Sequence, residues 1–266
     1  MSDWLVAIIL GIVEGLTEFL PVSSTGHLIL GGELLGFTDN SSVAFKIAIQ
    51  FGAIMAVLLV YWRRFFDVAT GLLKVQPGPV AFTRNILLGF APALIIGVIA
   101  YDAIRAAMQT PQIVAIALVV GGVLILVLER LIKTVHFHSV EDIPFRTALS
   151  IGLVQCTAML PGVSRSGATI MGGLMMGVER KTAAEFSFFL AVPTMLAATV
   201  YALWKDRALL SADDFGMIGI GFFTAFVVAV AVVKAFVAVV GKYGFAPFAW
   251  YRIIVGTAAL IWLSLR

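Results

Sequence analysis

Apolar residues fall into long, nearly unbroken runs: Ile47–Trp62, Ile86–Tyr101, Ile113–Leu128, Phe186–Trp204, Ile218–Val233 and Ile253–Leu265. Each approaches the ~20 residues that carry a helix across a bilayer. Backbone groups inside hydrocarbon have no water to bond, so such spans must be helices. The alternating polar and apolar decads of a membrane barrel are absent from the sequence. The pattern predicts an all-α polytopic membrane protein with about six full spans, near 43–62, 85–101, 112–131, 185–204, 215–236 and 248–265.

Two segments break the apolar pattern, and they resemble each other. "GIVEGLTEFLPVSSTGHLILGGELLG" (Gly11–Gly36) lies over "GLVQCTAMLPGVSRSGATIMGGLMMG" (Gly152–Gly177) at a shift of 141 residues without a gap. The alignment pairs Gly11 with Gly152, Val13 with Val154, Ser23 with Ser164, Gly26 with Gly167 and Gly36 with Gly177, and sets Glu14 against Gln155. A duplication follows, with repeats at about 1–131 and 145–266 of one membrane domain that covers 1–266. In each copy a proline, Pro21 or Pro161, ends a short apolar helix. Hydroxyl residues then suit the N-cap of the next short helix. Neither piece spans a membrane alone, so each copy is expected to form a re-entrant helical hairpin. Three spans separate the hairpins, which must then enter from opposite faces as an inverted-topology repeat.

Positive charge bears on orientation. Arg63, Arg64, Lys74, Arg84, Arg130, Lys133, Arg146, Arg180, Lys181, Lys234, Lys242 and Arg252 fall on one predicted side. Lys46, Arg105, Lys205, Arg207 and Arg266 fall on the other. The richer side is expected to be cytoplasmic, which opens the first hairpin to the outside. Arg165 belongs to neither group and sits at the second hairpin's tip.

Composition agrees. Hydrophobic residues make up 61% of the 266 and charged ones 12%, with a mean hydropathy of +1.05. Soluble domains carry about twice that charged share. A net charge of +3 is too small to imply a nucleic-acid partner. The first apolar run has Asp3 before it and glutamates within it, so no cleavable signal is expected. The single cysteine, Cys156, rules out an internal disulfide and is expected to pack.

The chemistry is concentrated at the two breaks. Glu14 and Glu18, four residues apart, share a helix face among apolar neighbours, where an ionisable group marks function. Ser23, Ser24, Thr25 and His27 follow at the first tip, and Ser164, Arg165 and Ser166 occupy the second. The serines also read as plain helix caps, and Arg165 as the structural partner of a glutamate. Two converging helix N-termini with a guanidinium and hydroxyls form an anion site suited to phosphate. The carboxylates oppose an anion unless a hard cation, Mg²⁺ or Ca²⁺, lies between them. A serine can attack phosphorus once His27 or a glutamate takes its proton, and spacing alone leaves that choice open.

"EGLTEFLPVSSTGH" with "LPGVSRSGATI" closely resembles the bacterial undecaprenyl-diphosphate phosphatase family, also called UppP or BacA. "EFSFFLAVPTM" and "FAPFAWYRI" extend the likeness over nearly the whole chain. The resemblance implies a multi-pass enzyme of the bacterial inner membrane that removes the terminal phosphate from undecaprenyl diphosphate. Its product is the lipid carrier of cell-wall synthesis, and loss of the substrate opposes bacitracin. Carried over, the catalytic positions are Glu14, Glu18, Ser24, His27 and Arg165, with Ser23, Thr25, Ser164 and Ser166 beside the substrate. Glu14 and Glu18 would bind Mg²⁺ or Ca²⁺, and the site would face the periplasm. Ser24 is the expected nucleophile, His27 the general acid/base and Arg165 the diphosphate clamp; attack by water or by His27 is the alternative.

A lipid-phosphate or anion transporter is the rival reading, because inverted repeats and broken helices are transporter features. A scaffold would not account for Glu14, Glu18 and Arg165 together. Substrate lipid and membrane lipids are the expected partners, and an oligomer is compatible with the sequence. His136 and His138 are expected in a solvated loop, and Glu185 is expected to bond to the second hairpin without a catalytic role.

Overall fold

The computed structural model describes residues 2–37, 41–108, 110–132, 134–205 and 215–265. The basic positions Lys133, Arg207 and Arg266 lie outside the described residues. The helices are α1 (Asp3–Thr17), α2 (Ser24–Leu35), α3 (Ser41–Val60), α4 (Trp62–Leu73), α5 (Pro77–Ile99) and α6 (Tyr101–Ala107). They continue as α7 (Pro111–Leu131), α8 (Phe145–Gln155), α9 (Arg165–Met175), α10 (Arg180–Lys205), α11 (Phe215–Tyr243) and α12 (Ala246–Ser264). Among the described residues strand pairing is limited to an isolated bridge between Phe137 and Val178.

Five helices, α5, α7, α10, α11 and α12, are long and apolar enough to cross a membrane by length and composition. The expected span at 43–62 is helical and is followed by a sharp bend. Its helix α3 qualifies only together with α4, which turns away from it by 70° after Tyr61. The reason lies in the sequence of α4, where Arg63, Arg64 and Asp67 alternate with Phe65, Phe66 and Val68. Charges at that density oppose continuation into hydrocarbon, and an amphipathic helix lies along an interface instead. The first half thus has two helices of spanning length and a bent pair that can serve as one further span, so the described helices offer five or up to six spans.

Both sequence breaks are structural breaks. α1 ends at the C-cap Glu18, and α2 begins after the N-cap Ser23. α8 gives way to a 3₁₀ turn at Cys156–Met159, and α9 begins after the N-cap Ser164. The two caps match. Ser23 has φ 69° and its Oγ accepts from the N–H of Gly26; Ser164 has φ 81° and its Oγ accepts from the N–H of Gly167. A Cβ on the glycine at the third helical position would lie 3.2 Å from Ser23 Oγ or Ser164 Cβ, tighter than an ordinary contact.

The long helices exchange partners between the halves. α1 and α3 pack on α11, α8 and α10 pack on α5, and α7 packs on α12. Glycines set the closest approaches: a Cβ at Gly11 would lie 2.7 Å from the Gly221 carbonyl, and Gly152 sits directly on the backbone of Gly89. Gly31 and Gly172 face Leu10 and Val154, so each contacts its own preceding helix. The largest apolar cluster gathers Phe186, Phe188 and Phe189 of α10 with Phe19, Phe82, Phe236 and Phe245. Phe19 meets Phe188 edge-on at 5.3 Å, which anchors the end of α1 to α10.

Candidate active site

Glu18 is the residue at which α1 stops, and its carboxylate joins the two breaks. Oε2 accepts a hydrogen bond from the Ser24 hydroxyl, and Oε1 lies 2.8 Å from Nη2 of Arg165. All three are largely withdrawn from solvent, with side-chain exposures of 4% for Glu18 and 14% for Arg165. Ser24 and Arg165 open α2 and α9, so both helix N-termini and their positive dipole ends face one place. The capping and pairing roles are therefore real, and the same residues are the ones brought together.

Arg165 is held by groups that the sequence left unmarked. Nη1 donates to the carbonyl of Ser187 at 2.9 Å and to its hydroxyl at 3.3 Å; Nη2 also lies 3.3 Å from Met195 Sδ. Thr169 donates to the Ser187 hydroxyl at 2.8 Å, and the guanidinium lies 6.0 Å above the Phe19 ring. Its Nε has no hydrogen-bond partner. The fork is fixed in direction yet keeps a free donor.

A cavity of about 200 Å³ opens at this junction. Glu18, Ser23, Ser24, Thr25, Ser164 and Arg165 line its polar side, joined by Gln50 of α3. Ile104, Met108, Met159, Met195 and Ala198 line the apolar side. The polar lining suits an anionic head group and the apolar lining a hydrocarbon chain.

Three predicted site residues stand apart from that lining. Ser166 donates to the Leu20 carbonyl at 2.6 Å and pairs with Ser164 at 3.0 Å, so its hydroxyl ties the tips to each other. Glu14 is fully buried one turn before Glu18, and neither of its oxygens has a hydrogen-bond partner. Two buried carboxylates one turn apart cannot both stay charged cheaply, so a proton or a cation belongs between them. His27 faces away from the nucleophile: Nδ1 lies 2.8 Å from the Ser23 carbonyl and Nε2 lies 2.9 Å from the Tyr251 hydroxyl.

Arg252 overturns an assignment. Placed by sequence among the cytoplasmic basic residues, it is 1% exposed. Five hydrogen bonds of 2.8–3.3 Å link it to the carbonyls of Pro21, Ala117, Leu118, Gly162 and Val163. It thereby joins both breaks to α7. Proline cannot donate at Pro21 or Pro161, and helix ends leave carbonyls orphaned, so a five-donor side chain is what this junction lacks. A signal was present: Arg252 lies inside the predicted 248–265 span, where an arginine needs partners. Gln50 offered the same signal within 43–62.

The remaining predictions are peripheral. Glu185 accepts from Tyr61 at 3.5 Å rather than from the second hairpin. His138 is solvated and pairs with Glu179 at 3.4 Å. Among the described residues no cluster of three or more histidine, cysteine or acidic side chains suits a metal held by protein alone.

The sequence model for "Bacitracin resistance protein BacA" matches residues 7–258. The chain belongs to the BacA family. It is 66% identical over 264 residues to the undecaprenyl-diphosphatase of Sphingopyxis alaskensis, covering 99% of both chains. It is 57% identical over 259 residues to that of Rhizorhabdus wittichii, with 97% of each covered, and 52% identical over 270 residues to that of Novosphingobium aromaticivorans, with both covered in full. The matched region contains both breaks, Tyr251 and Arg252 of α12, and every residue of the junction.

Proposed function

We infer that the chain is an undecaprenyl-diphosphatase, releasing the terminal phosphate of undecaprenyl diphosphate and leaving undecaprenyl phosphate. The carrying observation is the chain of contacts from the Ser24 hydroxyl through Glu18 to Arg165 at the cavity wall. Family membership and full-length identity to proteins of that name agree.

The geometry favours Glu18 over His27 as the group that activates the nucleophile. Ser24 Oγ attacks the terminal phosphorus and its proton passes to Glu18 Oε2. The bond from phosphorus to the bridging oxygen breaks, and undecaprenyl phosphate leaves. Glu18 passes the proton it took to the departing undecaprenyl phosphate. Water then attacks the phosphoserine, giving a proton to Glu18, which returns it to Ser24 Oγ as the Ser24–phosphorus bond breaks and inorganic phosphate is released. Arg165 and the N–H groups that open α2 and α9 stabilise charge on the transferred oxygens. Gln50 and Thr25 offer further hydrogen bonds to the head group.

A carboxylate has about four lone-pair sites, so Glu18 can serve Ser24, Arg165 and a cation together. The orphaned oxygens of Glu14 fit the same ion. Glu14 and Glu18 would thus hold Mg²⁺ or Ca²⁺, hard cations that suit carboxylate oxygens. Bound there, the ion would neutralise phosphate charge.

The exchange of helix partners between halves and the matched caps at Ser23 and Ser164 support an inverted repeat with two re-entrant hairpins. α6 and the C-terminal half of α10, which line the cavity, lie at the end of the bundle with fewer basic residues. The positive-inside rule then opens the site to the periplasm of a bacterial inner membrane.

Phosphate release from undecaprenyl diphosphate by purified protein in detergent tests the reading, since no transport occurs there. Turnover that stops with EDTA and returns with Mg²⁺ or Ca²⁺ is expected. Binding of the diphosphate without any phosphate release would favour the transporter instead.

A further inference from the structure

α12 contributes two adjacent residues to the junction, and only Arg252 reaches carbonyls of both breaks. Its neighbour Tyr251 meets His27 through the 2.9 Å bond to Nε2, with the two rings nearly parallel at 6° and their centroids 5.5 Å apart. The protons of this contact follow from its partners. A carbonyl oxygen only accepts, so the Nδ1 that lies 2.8 Å from the Ser23 carbonyl carries the hydrogen. In a neutral imidazole Nε2 is then the lone pair, and the Tyr251 hydroxyl donates into it.

The same Ser23 carbonyl also accepts the main-chain N–H of His27 at 3.1 Å. Ser23 needs such support, because φ 69° and ψ 88° is a region that non-glycine residues rarely occupy. The next residue is Ser24. At the matching turn Ala168 stands where His27 does: its main-chain N–H donates to the Ser164 carbonyl at 2.9 Å, and its methyl side chain has no donor to add.

We propose that Tyr251 is a positioning residue: it holds His27 in the Nδ1–H tautomer, and His27 in turn braces the Ser23 turn that presents Ser24 to Glu18. The effect on turnover rests on the phosphatase reading above; the tautomer does not. Tyr251 does not line the cavity, so substrate binding is expected to be insensitive to it.

Tyr251→Phe keeps the stacked ring and removes only the hydroxyl. In the full-length protein, ¹⁵N NMR of histidine nitrogens is expected to show His27 as one Nδ1–H tautomer, identified by its loss in His27→Gln. In Tyr251→Phe the same signals should report a mixture. kcat on undecaprenyl diphosphate is expected to fall about tenfold, the lower end of what losing an orienting partner of histidine costs. KM should stay within twofold, and Tyr251→Phe should take nothing further from a His27→Ala protein. A single retained tautomer, an unchanged kcat, or a loss that adds in full to that of His27→Ala overturns the proposal. Full turnover by Ser24→Ala would instead overturn the phosphatase mechanism, leaving the NMR result to judge Tyr251.

Discussion

Ser24 and Glu18 are six residues apart along the chain, whereas Arg165 is 147 residues beyond Glu18; all three meet through one carboxylate. Replacing Ser24 with alanine removes the attacking oxygen and leaves the N-cap at Ser23 intact. Phosphate release is expected to fall at least about a thousandfold, on the scale of a lost nucleophile, with the protein still folded. Arg165→Lys keeps the charge but not the fork, since one ammonium cannot hold the Ser187 carbonyl and the Glu18 side together. A loss in kcat/KM of about a hundredfold, or roughly 2.7 kcal/mol, is expected from the same assay. His27 was recognisable from sequence as a site residue, but its partner was not: Tyr251 is 224 residues away and reads as an ordinary interfacial aromatic.

At the scale of elements, α1–α2 and α8–α9 are short helices joined by breaks that satisfy little of their own backbone. Serine caps cover an N–H group of the helix that follows each break, and Arg252 covers carbonyls of the breaks themselves from α12. Arg252→Met leaves two or more of those carbonyls without a donor, at about 1–3 kcal/mol each. A stability loss of at least about 3 kcal/mol is expected, read as a lower melting temperature in detergent. Arg252→Lys is expected to recover only part of it, because three donors cannot replace five. The prolines and hydroxyls announced both breaks in the sequence. Arg252 inside a predicted span signalled a need for partners, but which carbonyls it braces was not written in the sequence.

Across the whole molecule, each broken pair rests on a long helix of the other half, through glycines that permit backbone contact. Gly11→Leu would drive its side chain into the Gly221 carbonyl and Thr224, separating α1 from α11. Overpacking of this kind costs typically about 1–3 kcal/mol, and a matching drop in thermal stability is expected. Orientation is testable with a Cys156→Ser protein carrying single new cysteines. Asp102→Cys is expected to react with a membrane-impermeant maleimide added outside intact cells, and Lys242→Cys to react only after lysis. The reverse pattern would turn the site toward the cytoplasm.

Hydropathy runs announced helices and a membrane, and the internal likeness of Gly11–Gly36 to Gly152–Gly177 located both breaks, because these depend on neighbours within a turn or two. The bend after Tyr61 was also written locally, in the charges of α4. The pairing of Glu18 with Arg165, the turning of His27 toward Tyr251 and the burial of Arg252 came from packing alone. Those contacts link residues 89 to 231 positions apart, and their energies depend on distance and direction in space, which composition and spacing along a chain do not encode.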